Sequence, residues 1–378
     1  MNSQRRHDLD WIRVLVFGLL ILYHIGMFFV PWSWHIENSE QSNSLTWPMW
    51  FVNQWRLPVL FIISGMGTRF ALSKRSGGEY LAERSKRLVI PLLFGMLVIV
   101  APQVYVERMV QGGGYSSFWE FYPHYFEGVY PEGNFSWHHL WFLPYLFVYS
   151  VLLAPLFLWI RKYPENRLMR IFNGLLCHKF GLFWLALPLI MTELILKPHF
   201  PVKHNLVGDW YALSYYLLLF LYGYLCISAG REFWKTVSRK KTAALFTGIV
   251  AFSIMAWMRE VAVWTPGTEA LFAVIRIINL GAWCIAIFGY GAEWLNRSSR
   301  LLAYCNQAVY PFYIIHQTIT VLAAWYIMDL PWGIYWKFLC LTVITFGGSW
   351  IIFEIVKRNT ITRVLFGIKQ KHRRSNPQ

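Results

Sequence analysis

Arg13 and His24, eleven positions apart near the amino terminus, are the pair of residues best suited to chemistry in this chain. On an α-helix, eleven residues make about three turns with a remainder of about 20° and a rise of about 16 Å, so both side chains share one face. Asp10 precedes Arg13 by three positions, a spacing that allows an ion pair along a helix. An imidazole is the usual base for a hydroxyl group at neutral pH. We therefore predict that Arg13 lies at the cytoplasmic mouth and His24 near mid-bilayer on the same face, that Asp10 supports Arg13, and that His24 is a candidate for such chemistry.

Three further polar residues, Arg56, Arg276 and His316, lie inside strongly apolar stretches. Ionisable groups are costly there and usually functional, and a guanidinium cannot escape the cost by deprotonation. Their comparable depths favour one interior cavity shared with His24, in which the arginines, left without acidic partners, bind a carboxylate or phosphate. Two alternatives stay open. His24 can be a histidine that only bonds a neighbouring helix, and the arginines can bond helix carbonyls or extend to the surface.

Two weaker features lie near the predicted second and third spans. Ser64 is followed by Gly65, a small pair that permits close approach of two helices. Arg84 and Arg87 precede Pro91 at a predicted cytoplasmic helix start. This basic pair either sets the topology of the chain or binds a phosphate group.

The histidine pair His138–His139 does not predict a metal site. Adjacent histidines rarely chelate one ion, and no acidic residue or cysteine in the sequence completes a ligand set for them. The five cysteines are far apart and form no CxxC pair, so they are predicted to be free thiols.

Composition indicates the elements that must position these residues. Hydrophobic residues make up 56% of the 378-residue chain and charged residues only 14%, against about 25% charged residues in soluble domains. A lipid environment removes the cost of so much apolar surface. The net charge of +16 comes from short basic runs between apolar stretches, so nucleic-acid binding is not predicted.

Ten apolar runs are long enough to cross a bilayer, which takes about 20 residues. They lie near 13–31, 48–70, 88–106, 139–160, 181–197, 211–229, 242–258, 268–291, 307–327 and 334–356. Every second loop between them is rich in Lys and Arg, which places both termini in the cytoplasm. The predicted fold is therefore all-α, a polytopic integral membrane protein with about ten transmembrane helices. Residues 1–368 form a single transmembrane domain and 369–378 a basic, disordered tail. The aromatic outer loop 107–138 either lies at the membrane surface or covers an opening.

In this context the chain resembles the acyltransferase 3 family of bacterial membrane acyltransferases over nearly its whole length. Arg13 and His24 look like that family's Arg-x10-His signature. The other similar blocks are LPVLFIISGMGTRF (57–70), RSKRLVIPLL (84–93), HLWFLPYL (139–146) and VYPFYIIHQTITV (309–321). The closing stretch FEIVKRNTITRVLFG resembles the glucan-modifying branch, which succinylates osmoregulated periplasmic glucans. No appended soluble esterase-like domain, present in some relatives, is found.

The resemblance implies a multi-pass enzyme of the bacterial inner membrane that moves an acyl group, succinyl or acetyl, from cytosolic acyl-CoA to a hydroxyl of an envelope carbohydrate. The donor is a substrate, and no permanently bound cofactor is expected. The partners are acyl-CoA, a glycan acceptor and the lipid bilayer. The catalytic residues are then His24, Arg13 and Asp10. The residues that bind the acyl group or substrate are then Arg56, Ser64, Arg276, His316 and His139. The residues that bind the CoA phosphates are Arg69, Arg84 and Arg87.

A transporter or flippase for an anionic solute is the competing interpretation. It would use the same arginines together with a proton-relay histidine. Against it, the sequence has no internal repeat and no pair of helices broken by Gly or Pro. A non-catalytic scaffold is less favoured, because buried arginines are costly for structure alone.

Overall fold

The computed structural model describes residues 6–369, and over this range the regular structure is helical, with no strand. The α-helices are α1 (His7–Met27), α2 (Asn43–Asn53), α3 (Arg56–Leu72), α4 (Gly77–Arg84), α5 (Ile90–Phe94), α6 (Ala101–Val110), α7 (Phe118–His124), α8 (Phe142–Lys162), α9 (Arg167–Cys177), α10 (Gly181–Met191), α11 (Trp210–Ala229), α12 (Arg231–Val261), α13 (Pro266–Trp294), α14 (Arg300–Ile327), α15 (Ile334–Val356) and α16 (Thr360–Leu365). Wider, π-helical turns continue three of them, at Ser85–Val89, Gly95–Val100 and Thr192–Leu196, and a 3-10 turn at His138–Trp141 precedes α8. Apart from Lys369, the predicted basic tail lies outside the described residues.

All ten predicted apolar runs coincide with helices, which makes the chain an all-helical polytopic protein. Within residues 6–369, seven helical segments are long and apolar enough to cross a membrane, or eight if the bent pair α9–α10 counts as one span. The other two runs differ for physical reasons. Helix α3 has only 17 residues, and α14 carries a buried polar stretch that begins at His316. The number of ten spans and the cytoplasmic termini remain predictions.

The predicted second span, 48–70, is interrupted in the structure. Helix α2 ends at Asn53 and α3 begins at Arg56, with tight turns in which Gln54 and Trp55 donate to the carbonyls three residues earlier. Pro58 explains the break, because a proline has no N–H for the carbonyl of Gln54 and its ring would clash with that carbonyl in a continuous helix. In the first turn of α3 the same proline is tolerated.

The third predicted span, 88–106, is longer than expected. The helical segment runs from Gly77 to Val110 and includes α4, α5, α6 and two π-helical turns. Pro91 cannot donate to the carbonyl of Arg87, and the hydroxyl of Tyr310 donates to that carbonyl instead, at 2.6 Å. A side chain of α14 thus satisfies the backbone group that the proline leaves open.

The chain divides into two compact units. Among the described residues, unit 1 comprises 6–16, 50–81 and 148–302, and unit 2 comprises 17–49, 82–147 and 303–369. In unit 1, α3 and α11 lie in very close contact. A Cβ added to Gly65 would lie 1.9 Å from the carbonyl oxygen of Phe220, and one added to Gly223 would lie 2.0 Å from that of Ile62. The prediction that the Ser64–Gly65 pair permits close helix packing is confirmed.

Unit 2 contains a buried polar layer along α14. Gln103 donates to Thr318 Oγ1 at 2.7 Å and accepts from Gln317 at 3.1 Å. Further along α14, Thr320 bonds Thr345 of α15 at 3.0 Å. Such pairs satisfy polar groups that would otherwise be costly inside an apolar bundle.

The loop of unit 2 that was predicted to lie on the outer side, 107–138, is folded against its own helix. Arg108 donates to Asn134 Oδ1 and to the carbonyl of Gly133, both at 2.7 Å. The hydroxyl of Tyr125 donates to the carbonyl of Met96 at 2.8 Å. This loop is an ordered aromatic layer; its predicted role as a cover remains a prediction.

Candidate active site

His24 and His316 form the centre of the candidate site in unit 2. Nδ1 of His24 lies 2.8 Å from Nε2 of His316, and the two rings stack almost parallel, with centroids 5.1 Å apart. On the other side of its ring, His316 Nδ1 lies 3.0 Å from the carbonyl oxygen of Phe312 and 2.9 Å from that of Tyr313. Two of the four polar groups that were expected to share one cavity, His24 and His316, are thus in direct contact; the shared cavity itself remains a prediction.

These contacts assign the protons on both rings. A carbonyl only accepts, so His316 Nδ1 carries a hydrogen, and in the neutral ring Nε2 must then be an acceptor. His24 Nδ1 therefore donates to it, and the lone pair of neutral His24 lies on Nε2. His316 is fully buried and His24 is partly exposed. The arrangement presents one basic nitrogen at the partly exposed ring, as a general base or nucleophile requires.

His139 is the third histidine of this cluster. Its ring stands edge-on to that of His316, with centroids 5.1 Å apart. Its Nε2 donates to the carbonyl of Ile314 at 3.0 Å, and its own carbonyl accepts from the hydroxyl of Tyr313 at 2.6 Å. His139 thus packs against the ring of His316 and bonds two other residues of α14, Ile314 and Tyr313.

Asp10 and Arg13 form the predicted pair at the start of α1, in unit 1. Arg13 Nη2 lies 3.0 Å from Asp10 Oδ1, so the i,i+3 ion pair is confirmed. The Arg13 side chain is 38% exposed, which leaves room for the guanidinium to meet an anion while it keeps its acidic partner.

The structure corrects the prediction for Arg276, which was expected to have no acidic partner. Arg276 forms an ion pair with Glu193, and its Nη2 donates to the hydroxyl of Tyr211 at 2.6 Å. Glu193 is fully buried and also pairs at 3.0 Å with Lys197, four residues further along the chain. The positive charge of Arg276 is therefore neutralised within the protein.

Arg56, the other arginine inside a predicted span, opens α3 and is 4% exposed. It lies within electrostatic range of His204, in the loop between Lys197 and α11. Burial lowers the pKa of His204 to about 4; the nearby Asp209 opposes this shift and Arg56 adds to it. His204 is therefore neutral near pH 7.

The remaining predicted residues lie at helix ends or packing faces. Ser64 donates to the carbonyl of Leu60 at 2.8 Å, within its own helix. In unit 2, Arg84 and Arg87 interact electrostatically with Tyr310, and Arg87 lies 3.9 Å from Glu83. Arg69 is partly exposed at the end of α3 in unit 1. Phosphate binding by Arg69, Arg84 and Arg87 stays a prediction.

One cluster was missed by the sequence. His138 was expected to have no acidic neighbour, yet in unit 2 Glu107 lies between His138 and His35. The three residues come from separate segments, so no local spacing could reveal them. The only available signal was the placement of all three in predicted outer loops.

Comparison with known proteins now adds to this geometry. The acyltransferase 3 family, described as "Acyltransferase domain", matches residues 6–354. The chain belongs to the acyltransferase 3 family. This acyltransferase is 26% identical to glucans biosynthesis protein C of Escherichia coli strain SMS-3-5 / SECEC over 388 residues, which covers 99% of this chain and 97% of that protein. The protein of the same name from Escherichia coli strain K12 matches with the same identity and coverage. No solved structure matches the chain.

Proposed function

We propose that this acyltransferase moves an acyl group, succinyl or acetyl, from cytosolic acyl-CoA to a hydroxyl of an envelope glycan. The hydrogen bond from His24 Nδ1 to His316 Nε2 is the observation that carries the proposal. It leaves the lone pair of neutral His24 on Nε2, which is the group that activation of a weakly nucleophilic hydroxyl needs.

The reaction has a simple balance when His24 acts as the base. His24 Nε2 takes the proton of the acceptor hydroxyl while the oxygen attacks the thioester carbonyl. The carbon–sulfur bond then breaks, and the CoA thiolate takes the proton back from His24. The products are an O-acyl ester and CoA. His316 Nε2 accepts the hydrogen bond from His24 Nδ1 throughout, so it holds the ring of His24 in one orientation.

A covalent route uses the same nitrogen. His24 Nε2 would attack the thioester carbonyl, and the carbon–sulfur bond would break to give the CoA thiolate and an acyl-imidazolium. The acceptor hydroxyl would then attack that acyl group and pass its proton to the thiolate, which gives the O-acyl ester, CoA and neutral His24. Mass spectrometry of the purified protein after incubation with acyl-CoA alone distinguishes the two routes. An acyl group on His24 supports the covalent route, and an unmodified chain with normal turnover supports the base.

The donor is proposed from the basic residues near predicted cytoplasmic ends. Arg13 keeps Asp10 as a partner yet is partly exposed. The CoA phosphates are assigned to Arg69, Arg84 and Arg87. Guanidinium groups suit phosphate oxygens because both offer bidentate geometry.

The acceptor and the compartment are proposed from the relatives. Their name, glucans biosynthesis protein C, places them in the making of glucans. The match covers 97% of that protein, which supports the proposal that this chain acts on the same class of acceptor. We therefore propose a glucan of the bacterial envelope and a location in the inner membrane.

The experiment is mass spectrometry of envelope glycans from cells with wild-type protein, with the His24→Ala variant and with no protein. We expect an acyl substituent on a glucan only with the wild type. His199→Ala is the control, because His199 is an exposed histidine near Lys197. Acyl substitution that persists with His24→Ala at wild-type level contradicts the proposed function.

A donor series tests the substrate arginine. Arg56→Ala is expected to reduce transfer from succinyl-CoA more than transfer from acetyl-CoA, because only succinyl presents a carboxylate to a guanidinium. Equal losses with both donors would remove Arg56 as the carboxylate-binding residue.

A further inference from the structure

The outer end of unit 2 holds a cluster of three potential metal ligands, His35, Glu107 and His138. His35 lies in the loop after α1, Glu107 in α6, and His138 at the start of the 3-10 turn before α8. Their ligand atoms, one from each side chain, all lie within 4.8 Å of one another. Glu107 Oε2 is 2.9 Å from His35 Nδ1 and 3.6 Å from His138 Nε2.

These distances suit a tetrahedral ion. Zinc binds imidazole nitrogen and carboxylate oxygen at about 2.0–2.2 Å, so ligand atoms around a tetrahedral ion are about 3.3–3.5 Å apart. The two observed separations bracket that value. The rings of His35 and His138 also stack, with centroids 4.2 Å apart, and one nitrogen of each lies within 3.6 Å of the same oxygen, Glu107 Oε2.

His138 provides a second and independent observation. Its side chain is 1% exposed, and its Nε2 is buried with no hydrogen-bond partner among residues 6–369. A buried nitrogen that lacks a partner is costly, and it is aimed at Glu107. An ion between them would satisfy it.

The neighbouring residues have the arrangement that metal sites use to orient their ligands. Ser136 Oγ lies 2.9 Å from His138 Nδ1. With Nδ1 carrying the hydrogen for that contact, the lone pair of His138 is on Nε2. Tyr130 donates to Glu107 Oε1 at 3.0 Å, which leaves Oε2 toward the histidines. Outer partners of this kind fix the tautomer and rotation of ligating groups.

We propose that His35, Glu107 and His138 bind one divalent transition-metal ion, for which Zn²⁺ is the best match. Two imidazoles and one carboxylate favour zinc over Mg²⁺ or Ca²⁺, which prefer oxygen ligands. The ion ties the loop after α1 to α6 and to the turn before α8. His138 has a φ of +39°, a left-handed conformation that a bulky residue seldom adopts.

The site has a consequence for its neighbour in sequence. His139, the next residue, packs its ring against His316. Fixing His138 therefore fixes the backbone beside the histidine cluster of unit 2. The three ligands are positioning residues for that cluster, and metal binding itself does not depend on the proposed acyl transfer.

The test uses the full-length protein, purified in detergent without a polyhistidine tag and stripped with a chelator. Co²⁺ is added as a spectroscopic probe and then displaced with Zn²⁺. We expect one Co²⁺ per chain, visible absorption bands of a four- or five-coordinate ion, and their loss with Zn²⁺. Glu107→Gln should abolish the bands, and Tyr130→Phe should weaken Co²⁺ affinity roughly 10–100-fold.

His124→Ala is the matched control. His124 lies in the same outer loop and pairs with Glu127 at 2.8 Å, but both side chains are exposed. This variant should keep the bands. A wild-type protein that gives no bands overturns the proposal, whether or not the variants fold. Bands that survive Glu107→Gln overturn it as well, because the cobalt is then bound elsewhere.

Discussion

At the residue scale, one hydrogen bond determines which nitrogen of His24 carries the proton. His316 is held by two carbonyls of its own helix, so its Nε2 can only accept in the neutral ring. An arginine or lysine in its place would instead donate to His24 and leave the wrong nitrogen basic. The cluster therefore needs a residue at 316 that accepts.

Replacement of His316 tests this dependence. His316→Ala should lower kcat by about 10²-fold, because loss of the acceptor lets His24 populate the other tautomer and rotate. His316→Gln, whose amide oxygen can accept, should restore part of the loss. Steady-state transfer assays on both variants give the comparison. A glutamine variant as impaired as the alanine variant would indicate that His316 acts by packing alone.

The Glu193–Arg276 pair predicts a change in stability. Glu193→Gln leaves the largely buried guanidinium of Arg276 without its counter-charge and should lower the free energy of unfolding by about 2 kcal/mol. The double variant Glu193→Gln, Arg276→Met should be more stable than Glu193→Gln alone, because the largely buried guanidinium is gone and only the more exposed Lys197 loses its partner. Thermal unfolding in detergent measures both. If the double variant is the less stable one, the pair is not coupled.

His204 predicts a dependence of stability on pH. Its pKa is lowered to about 4 from an ordinary value of 6.5, so the unfolded chain binds the proton first as the pH falls. Stability is therefore complete above about pH 6.5 and decreases toward pH 4, by about 3 kcal/mol. His204→Gln should flatten this decrease. Tm is measured across this pH range for the wild type and for His204→Gln. The same dependence of Tm on pH in both proteins would contradict the assignment of this decrease to His204.

Local spacing predicted some of these contacts and missed others. The Asp10–Arg13 and Glu193–Lys197 pairs follow from helix periodicity alone. The pairing of Arg276 with Glu193 joins residues far apart in sequence. It depends on how the helices pack, which one sequence does not specify.

At the element scale, proline and glycine account for most departures from a plain bundle of straight spans. Apolar composition predicted where helices lie, but not that Pro58 would divide the second run into α2 and α3. It also did not predict the π-helical turns that flank α5. Both depend on which backbone groups find partners, such as the contact of Tyr310 with Arg87.

The close contact of α3 with α11 gives a sharp prediction. Gly65→Ala forces the helices apart, since the added Cβ would lie 1.9 Å from a backbone oxygen of Phe220. We expect a loss of about 2 kcal/mol or more. Gly67→Ala is the control, because nothing lies within 4 Å of a Cβ there and alanine is the better helix former. Comparable Tm values for the two variants would show that the contact is not tight.

At the scale of the whole molecule, the family match over residues 6–354 agrees with the resemblance that the motifs showed, and the helical architecture agrees with what composition predicts. The number of spans is harder to derive. Helix α14 carries buried polar residues that begin at His316. They lower its mean hydropathy, so hydropathy alone gives too few spans. Charge alternation between loops carries independent information, because it depends on the loops rather than the spans.

Topology is the prediction at this scale. Both termini are expected in the cytoplasm, which requires an even number of spans. A fluorescent protein fused to the carboxyl terminus should fluoresce, and alkaline phosphatase fused at the same point should be inactive. An active phosphatase fusion there would mean an odd number of spans for a cytoplasmic amino terminus.

The most direct test of the account is single-turnover transfer by purified protein. Wild-type protein and His24→Ala are each mixed with radiolabelled acyl-CoA and a glucan, and the label on the glucan is followed with time. We expect transfer by the wild type and a transfer rate at least about 10²-fold lower for His24→Ala, with both proteins equally folded. Transfer at equal rates would contradict the central claim that His24 performs the chemistry.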